Sequence, residues 1–207
     1  VVFFIMISCS FPDQSLEKNQ LRRAVRNVRK SLPRSRRLRA ERRVACLALR
    51  FLKRGKRIGC YLASGSEFDL ALLIQRAVAR GCQVFLPVIP DRGRRLWFSR
   101  LGDADRWYRH PRYPLMEYAG PVLRAERLDV LFVPLLAVDD DGYRMGQGGG
   151  FYDTTLAHHA AQRPLLIGVA FDCQRVRQVP REPWDVRLDG LLTESGLYRF
   201  PPAAYPD

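Results

Sequence analysis

The glycine-rich stretch Val138-Asp-Asp-Asp-Gly-Tyr-Arg-Met-Gly-Gln-Gly-Gly-Gly-Phe-Tyr-Asp153 constrains this chain more than any other part of it. It follows residues 130–137, an uncharged run of β-branched, aromatic and aliphatic side chains that reads as a buried strand. Residues 151–161 after it contain no Gly or Pro and carry Tyr152, Leu156 and His159 near helical spacing. Residues without a Cβ, set between a strand and a helix start, let backbone N–H groups converge on an anion beside the positive end of the helix. Arg144 adds a fixed cation before the glycines, and Asp153 adds an oxygen donor for a hard metal ion after them. The pattern describes a nucleotide-triphosphate site. The plainer alternative is a tight turn whose aspartate caps the helix.

Two other glycine loops fit less well. The Walker type ends in Gly-Lys-Ser/Thr, a tripeptide this chain lacks. A dinucleotide loop would begin at Gly146-x-Gly148 and use Asp172, after the apolar run 165–171, to hold a ribose. Its third small residue would fall at Phe151, which is too bulky for close helix-to-strand packing.

The rest of the chain predicts alternating elements. Leu21, Val25, Val28 and Leu32 give residues 18–32 an amphipathic helix that Pro33 ends. A second, arginine-studded helix follows over 34–52, closed by Gly55. A strand over 57–62, a turn at 63–66, a helix over 67–80 and a strand over 82–89 make a βαβ unit. That helix would bury Leu70, Leu73, Ile74, Ala77 and Val78, with Gly81 as its C-cap. Residues 96–101 form a further strand, and 102–128 show no sustained period, as in a long ordered loop. Its Trp107, Tyr108 and Tyr113 read as satellite core in preference to a stacking platform. Residues 165–171 form a buried strand, 173–181 a polar linker and 188–194 a last short strand. The expected fold class is α/β: a single-domain three-layer α/β/α unit over 15–198, with a mostly parallel Rossmann-like sheet and helices on both faces. Residues 1–14 are expected to be a disordered leader or one before the true start, and 199–207 a disordered tail. His158 and His159 are adjacent, so they share no ligand face and read as structural.

Charge narrows the partners. Lys+Arg 35 against Asp+Glu 21 leaves a net +14, nearly all of it from arginine. Such an excess suits a polyanion, or a solvated surface around a pocket for an anionic substrate. Cys9, Cys46, Cys60, Cys82 and Cys173 are odd in number and show no C-x-x-C spacing, which argues against disulfides and structural zinc and favours a reducing cytoplasm. Val1-Val-Phe-Phe-Ile-Met-Ile7 is too short to span a bilayer and has no basic segment before it.

The run Asp141-Gly-Tyr-Arg-Met-Gly-Gln-Gly-Gly-Gly-Phe-Tyr-Asp153 closely resembles the signature of the 5-formyltetrahydrofolate cyclo-ligase, or methenyltetrahydrofolate synthetase, family. The resemblance extends through Lys18-Asn-Gln-Leu-Arg22, Tyr61-Leu-Ala-Ser-Gly-Ser-Glu67, Pro183-Trp-Asp185, Leu188-Asp189 and Thr193-Glu194, in the family's order. It implies an ATP- and Mg2+-dependent closure of 5-formyltetrahydrofolate to 5,10-methenyltetrahydrofolate, with release of ADP and phosphate. By the same resemblance Lys18 and Arg22 reach the nucleotide phosphates, and Arg144 and Lys18 are catalytic. Arg144, Met145, Gly146, Gln147, Gly148, Gly149, Gly150, Phe151 and Tyr152 complete the ATP site. Leu62 and Glu67, with Gln147 to Phe151, hold the folate. Asp153 and Asp185 flank the metal. Phe151 stands where the family usually has tyrosine, and Gln147 occupies a variable position that is often aromatic or basic.

The expected partners are these small molecules, with no membrane, no nucleic acid and a monomeric chain. Two other readings stay open at this point. One is a basic, non-enzymatic nucleic-acid-binding protein using residues 18–52, where Lys18 and Arg22, four apart, lie on one helix face. The other is a dinucleotide-dependent oxidoreductase.

Overall fold

A computed structural model describes residues 14–102, 104, 106–157 and 163–201. The chain opens with helix α1 (Gln14–Lys30), then α2 (Arg34–Leu47), to which Pro33 supplies the N-cap position and a 3-10 turn, Ala48–Arg50, the end. Strand β1 (Arg57–Gly59), helix α3 (Ala71–Ala79) and strand β2 (Gln83–Val88) form the expected βαβ unit. Gly81, at φ 72°, stops α3 in the left-handed conformation that an L side chain resists. Next come β3 (Trp97–Arg100), β4 (Trp107–Arg109), β5 (Met116–Tyr118), β6 (Val122–Leu123) and β7 (Val130–Pro134). A small hairpin, β8 (Ala137–Val138) and β9 (Arg144–Met145), leads through the glycines to α4 (Phe151–Leu156). Strands β10 (Leu165–Val169), β11 (Gly190–Leu192) and β12 (Leu197–Arg199) finish the sheet.

Eight strands pair in the order β12-β11-β10-β7-β1-β2-β3-β6. The run from β11 to β2 is parallel, and antiparallel strands close both edges. From β1 the chain crosses through α3 to β2 on one side. From β7, on the other side of β1, it crosses through α4 to β10. Crossovers of one hand running in opposite directions put their helices on opposite faces. Two cores follow. Ile58, Val84, Phe132 and Ile167 pack with Val44, Leu73 and Ala77 of α2 and α3, while Phe85, Leu131, Val133 and Leu166 pack with Leu156 of α4. This is the expected α/β/α arrangement. Gly59 belongs to the packing as well, because a Cβ there would lie 2.5 Å from Leu131 Cδ1 and 2.7 Å from Leu128 Cδ1. The strand order reverses between β1 and β7, and in open α/β sheets the crevice outside that point is where ligands bind.

Several expectations need correction. Val28 is 49% exposed and its neighbour Arg29 only 2%, so α1 is rotated from its apolar phase. Val78 is also exposed, at the solvent side of α3. α3 begins at Ala71, leaving Glu67 outside its first turn, and β1 ends at Gly59 instead of residue 62. The segment 102–128 is not a featureless loop: it holds the β4–β5 hairpin, the edge strand β6 and a 3-10 turn, Ala125–Arg127. Trp107, Tyr108 and Tyr113 are exposed by about two-fifths (41%, 38% and 39%) and are not satellite core. β11 is not the last strand, since β12 pairs with it, reaching Arg199. His158, His159, Cys9 and residues 202–207 lie outside the described residues; Cys46, Cys60, Cys82 and Cys173 are free thiols.

Candidate active site

A cavity of about 520 Å³ opens at the predicted crevice. Tyr61 and Leu62 line it just beyond β1, Pro134 and Leu135 at the end of β7, and Arg144 and Met145 from β9. The helix α1 lies along one side because Val25 and Leu21 pack on Leu136, Met145 and Val179. That contact brings Lys18 and Arg22 to the cavity wall. The loop Gly146, Gln147, Gly148, Gly149 and Gly150, then Phe151, Tyr152 and Asp153, line it as well, together with Glu67 and Asp185. Every site residue singled out from the sequence therefore borders one space.

The charged groups in it are held, not loose. Arg144 is 5% exposed, donates from Nη2 to Asp153 Oδ1 at 2.7 Å and from Nη1 to Val186 O at 2.9 Å. Lys18 Nζ donates to Glu182 Oε1 at 2.9 Å, and Arg22 Nε to Gly146 O at 3.3 Å. Arg26 continues this i, i+4 stripe and donates to Gln147 Oε1 at 2.8 Å, while Gln147 Nε2 faces Glu67 Oε1 at 3.4 Å. Glu67 Oε2 accepts from Ser64 N at 3.0 Å. Gly148 and Gly150, at φ 101° and 69°, are left-handed, and Gly150 occupies the N-cap position of α4. The guanidinium of Arg22 lies 3.7 Å from where a Gly148 Cβ would stand, and Arg94 Nη1 lies 3.2 Å from the same point at Gly150. Two cations thus flank an exposed stretch of glycine backbone.

The other wall is apolar. Phe151 meets Tyr113 edge to face with centroids 5.9 Å apart, and Leu62, Ile89 and Leu96 continue that surface. The Tyr152 hydroxyl is buried without a hydrogen-bond partner among the described residues. Burial, and then the charge of Glu67, push its pKa up, so it is a phenol that can donate. An orphaned donor in a cavity wall points to a ligand acceptor.

Two carboxylates with free oxygens, Asp153 and Asp185, line the cavity. Asp153 gives one oxygen to Arg144 and is 31% exposed; Asp185 accepts from Glu182 N at 2.8 Å through Oδ2, leaving Oδ1. Among the described residues no three His, Cys, Asp or Glu side chains gather as a metal-binding group. Mg2+ commonly takes only one or two carboxylates, with substrate phosphates and water filling its shell, so the donor set fits.

Tyr113, which the sequence reads as satellite core, lines the cavity. Arg26, Arg94 and Glu182 carry no local motif. Only Arg26 had a signal, its four-residue spacing from Arg22.

The fold and site define an α/β protein that brings a glycine-rich backbone loop and an apolar pocket together at the sheet's switch point. The model of the 5-formyltetrahydrofolate cyclo-ligase family matches residues 14–194. The 5-formyltetrahydrofolate cyclo-ligase of Haemophilus influenzae is 33% identical over 182 residues, spanning 85% of this chain and 97% of that one. That of Mycolicibacterium smegmatis is 34% identical over 191 residues, spanning 85% and 93%. The solved structure of Aquifex aeolicus 5,10-methenyltetrahydrofolate synthetase superimposes with a TM-score of 0.75 at 28% identity, covering 92% of this chain and 96% of that one. The chain belongs to the 5-formyltetrahydrofolate cyclo-ligase family and is an enzyme of the ligase class. The non-enzymatic and oxidoreductase readings fall with that assignment. No helix among the described residues is long and apolar enough to cross a membrane.

Proposed function

We propose that this chain closes 5-formyltetrahydrofolate to 5,10-methenyltetrahydrofolate at the expense of ATP, releasing ADP and phosphate. A formyl oxygen is a poor leaving group. Transfer of the γ-phosphoryl group to it makes a phosphate ester of the formyl carbon; N10 then attacks that carbon with its lone pair, the C–O bond breaks, phosphate leaves with the electrons, and the N10 proton is lost. Phosphoryl transfer of this kind needs positioning and neutralised charge more than a protein nucleophile.

The observation that carries the reading is Arg144, a buried cation opening onto the same cavity as the glycine backbone and the apolar wall. Buried in the cavity wall, its charge is screened less than one in bulk water. Lys18 and Arg22 add charge from α1, and the left-handed glycines let the nucleotide phosphates approach the backbone. Leu62 and Phe151 offer a surface for a flat pterin, Glu67 accepts hydrogen bonds from its N–H groups, and Tyr152 supplies the donor. Asp153 and Asp185 would hold Mg2+, which when bound offsets phosphate charge. The basic surface suits two anionic substrates in a cytoplasmic, monomeric protein.

Titration calorimetry with each substrate separately tests the division of the cavity. Arg22→Ala should weaken ATP binding and leave 5-formyltetrahydrofolate unchanged, and Glu67→Gln should do the reverse. Both variants weakening the same ligand would contradict it.

A further inference from the structure

Arg29 is buried at the C-terminal end of α1 although an apolar neighbour, Val28, was available for that position. Putting a guanidinium inside a protein is costly unless a carboxylate pairs with it. Among the described residues none lies within ion-pair distance of Arg29; its Nε donates to Ser66 Oγ at 3.1 Å, and its Nη1 reaches Leu135 O only at 3.5 Å. Burial pulls its pKa below the ordinary arginine value, and the strongest opposing influence is the negative charge of Glu67. Its place in the last turn of α1 suits a cation, but no ion pair among the described residues accounts for its being turned inward.

Ser66 is the point of attachment. Its hydroxyl takes Arg29, its carbonyl accepts from Arg37 Nη1 at 3.1 Å, and Arg37 Nη2 bonds the carbonyl of Arg29 itself. The end of α1, the start of α2 and residue 66 thus close a ring. The residue after Ser66 is Glu67, in a segment beyond β1 that belongs to no helix or strand and contains the left-handed Gly65, at φ 58°. A carboxylate on such a segment has no rigid element of its own to aim it.

We propose that Arg29 is a positioning residue for folate recognition: it never touches the substrate, but through Ser66 it fixes the turn that presents Glu67 to the cavity, and its unpaired charge draws the Glu67 carboxylate into place. The inference rests on reading Glu67 as a folate contact. It explains why α1 turns an arginine inward at the expense of stability, a trade of the kind functional sites make.

The test compares wild type, Arg29→Met, Ser66→Ala and Glu67→Gln by KM for each substrate, kcat and Tm. Arg29→Met should raise KM for 5-formyltetrahydrofolate about tenfold, the scale of a lost charge-assisted contact. KM for ATP should stay within about twofold, and Tm should hold or rise because a buried unpaired cation has become an apolar side chain. Ser66→Ala removes one oxygen and should move the folate KM the same way by about threefold, so it decides the matter even if Arg29→Met fails to fold. A fallen Tm with both KM values rising together would mean a structural role only and overturn the inference, as would an unchanged folate KM. If Glu67→Gln raises the folate KM while Arg29→Met and Ser66→Ala do not, the positioning role alone is wrong. If Glu67→Gln itself changes nothing, the reading of Glu67 as a folate contact is wrong, and the inference goes with it.

Discussion

At the carboxyl-terminal edge of the sheet Arg144 and Arg29 are 5% and 2% exposed, each with named oxygen partners. At the amino-terminal edge, along the end of α2 and the turn into β1, Arg42, Arg43, Lys53 and Arg54 are exposed and, among the described residues, make no ion pair. The residue type is nearly the same; the medium differs. A charge inside the cavity wall acts through a low effective dielectric, whereas an exposed one is screened within about 8–10 Å by salt. Thus the net +14 says less about function than the few arginines removed from water.

Substitutions on the two edges sharpen this contrast. Arg144→Ala should have the largest effect, lowering kcat/KM by about 10²–10³-fold as expected for loss of a preorganised charge, and Lys should restore little because it cannot bond Asp153 and Val186 together. Steady-state kinetics check this, with circular dichroism to confirm folding. Asp153→Asn should lower turnover by about 10–100-fold, the scale of a lost partner at a metal site, and raise the magnesium concentration needed for half-maximal rate. A magnesium titration reads both. Gly150→Ala places an L side chain at φ 69° against Arg94, and should cost about 1–2 kcal/mol in denaturant unfolding.

Away from the cavity the effects shrink. Asp129 accepts from Arg57 N at 2.8 Å and Lys56 Nζ at 2.9 Å. Burial pushes its pKa up, but those two bonds together with the charges of Lys56 and Arg57 outweigh burial and hold the carboxyl below its ordinary value. A carboxyl depressed in the folded state stabilises above its unfolded pKa, and that contribution fades as pH falls through the folded pKa. Asp129→Asn should therefore cost about 1 kcal/mol at neutral pH, with the gap to wild type closing on acidification. Arg42→Ala with Arg43→Ala should change stability by less than about 0.5 kcal/mol and neither KM. Loss of activity in that double variant would break the distinction between the two edges.

What the sequence shows and hides follows the range of each signal. The glycine loop, the buried strands β7 and β10 and the βαβ unit are written in consecutive residues, so composition and spacing suffice to locate them. Lys18, Arg22, Leu62, Glu67 and Asp185 reach the cavity from distant segments, and their roles are suggested by likeness to a family. Periodicity assigned Val28 inward because it ranks apolar over charged; the ties to Ser66 and Arg37 decide otherwise and leave no mark in spacing. Strands of two or three residues such as β4, β5 and β6 are too short to show alternation, so 102–128 read as a loop. The place of Tyr113 is likewise set by the β4–β5 hairpin, which pattern does not show.

In the proposed function, one cavity couples a triphosphate held on glycine backbone to a formyl group held beside it. The most direct measurement is the ratio of ADP to methenyl product formed when purified protein, magnesium, ATP and 5-formyltetrahydrofolate are mixed. One ADP is expected for each methenyltetrahydrofolate, and no methenyl product if ATP is withheld. Product formed without ATP consumption, or no product from a folded sample that binds both substrates, would contradict it.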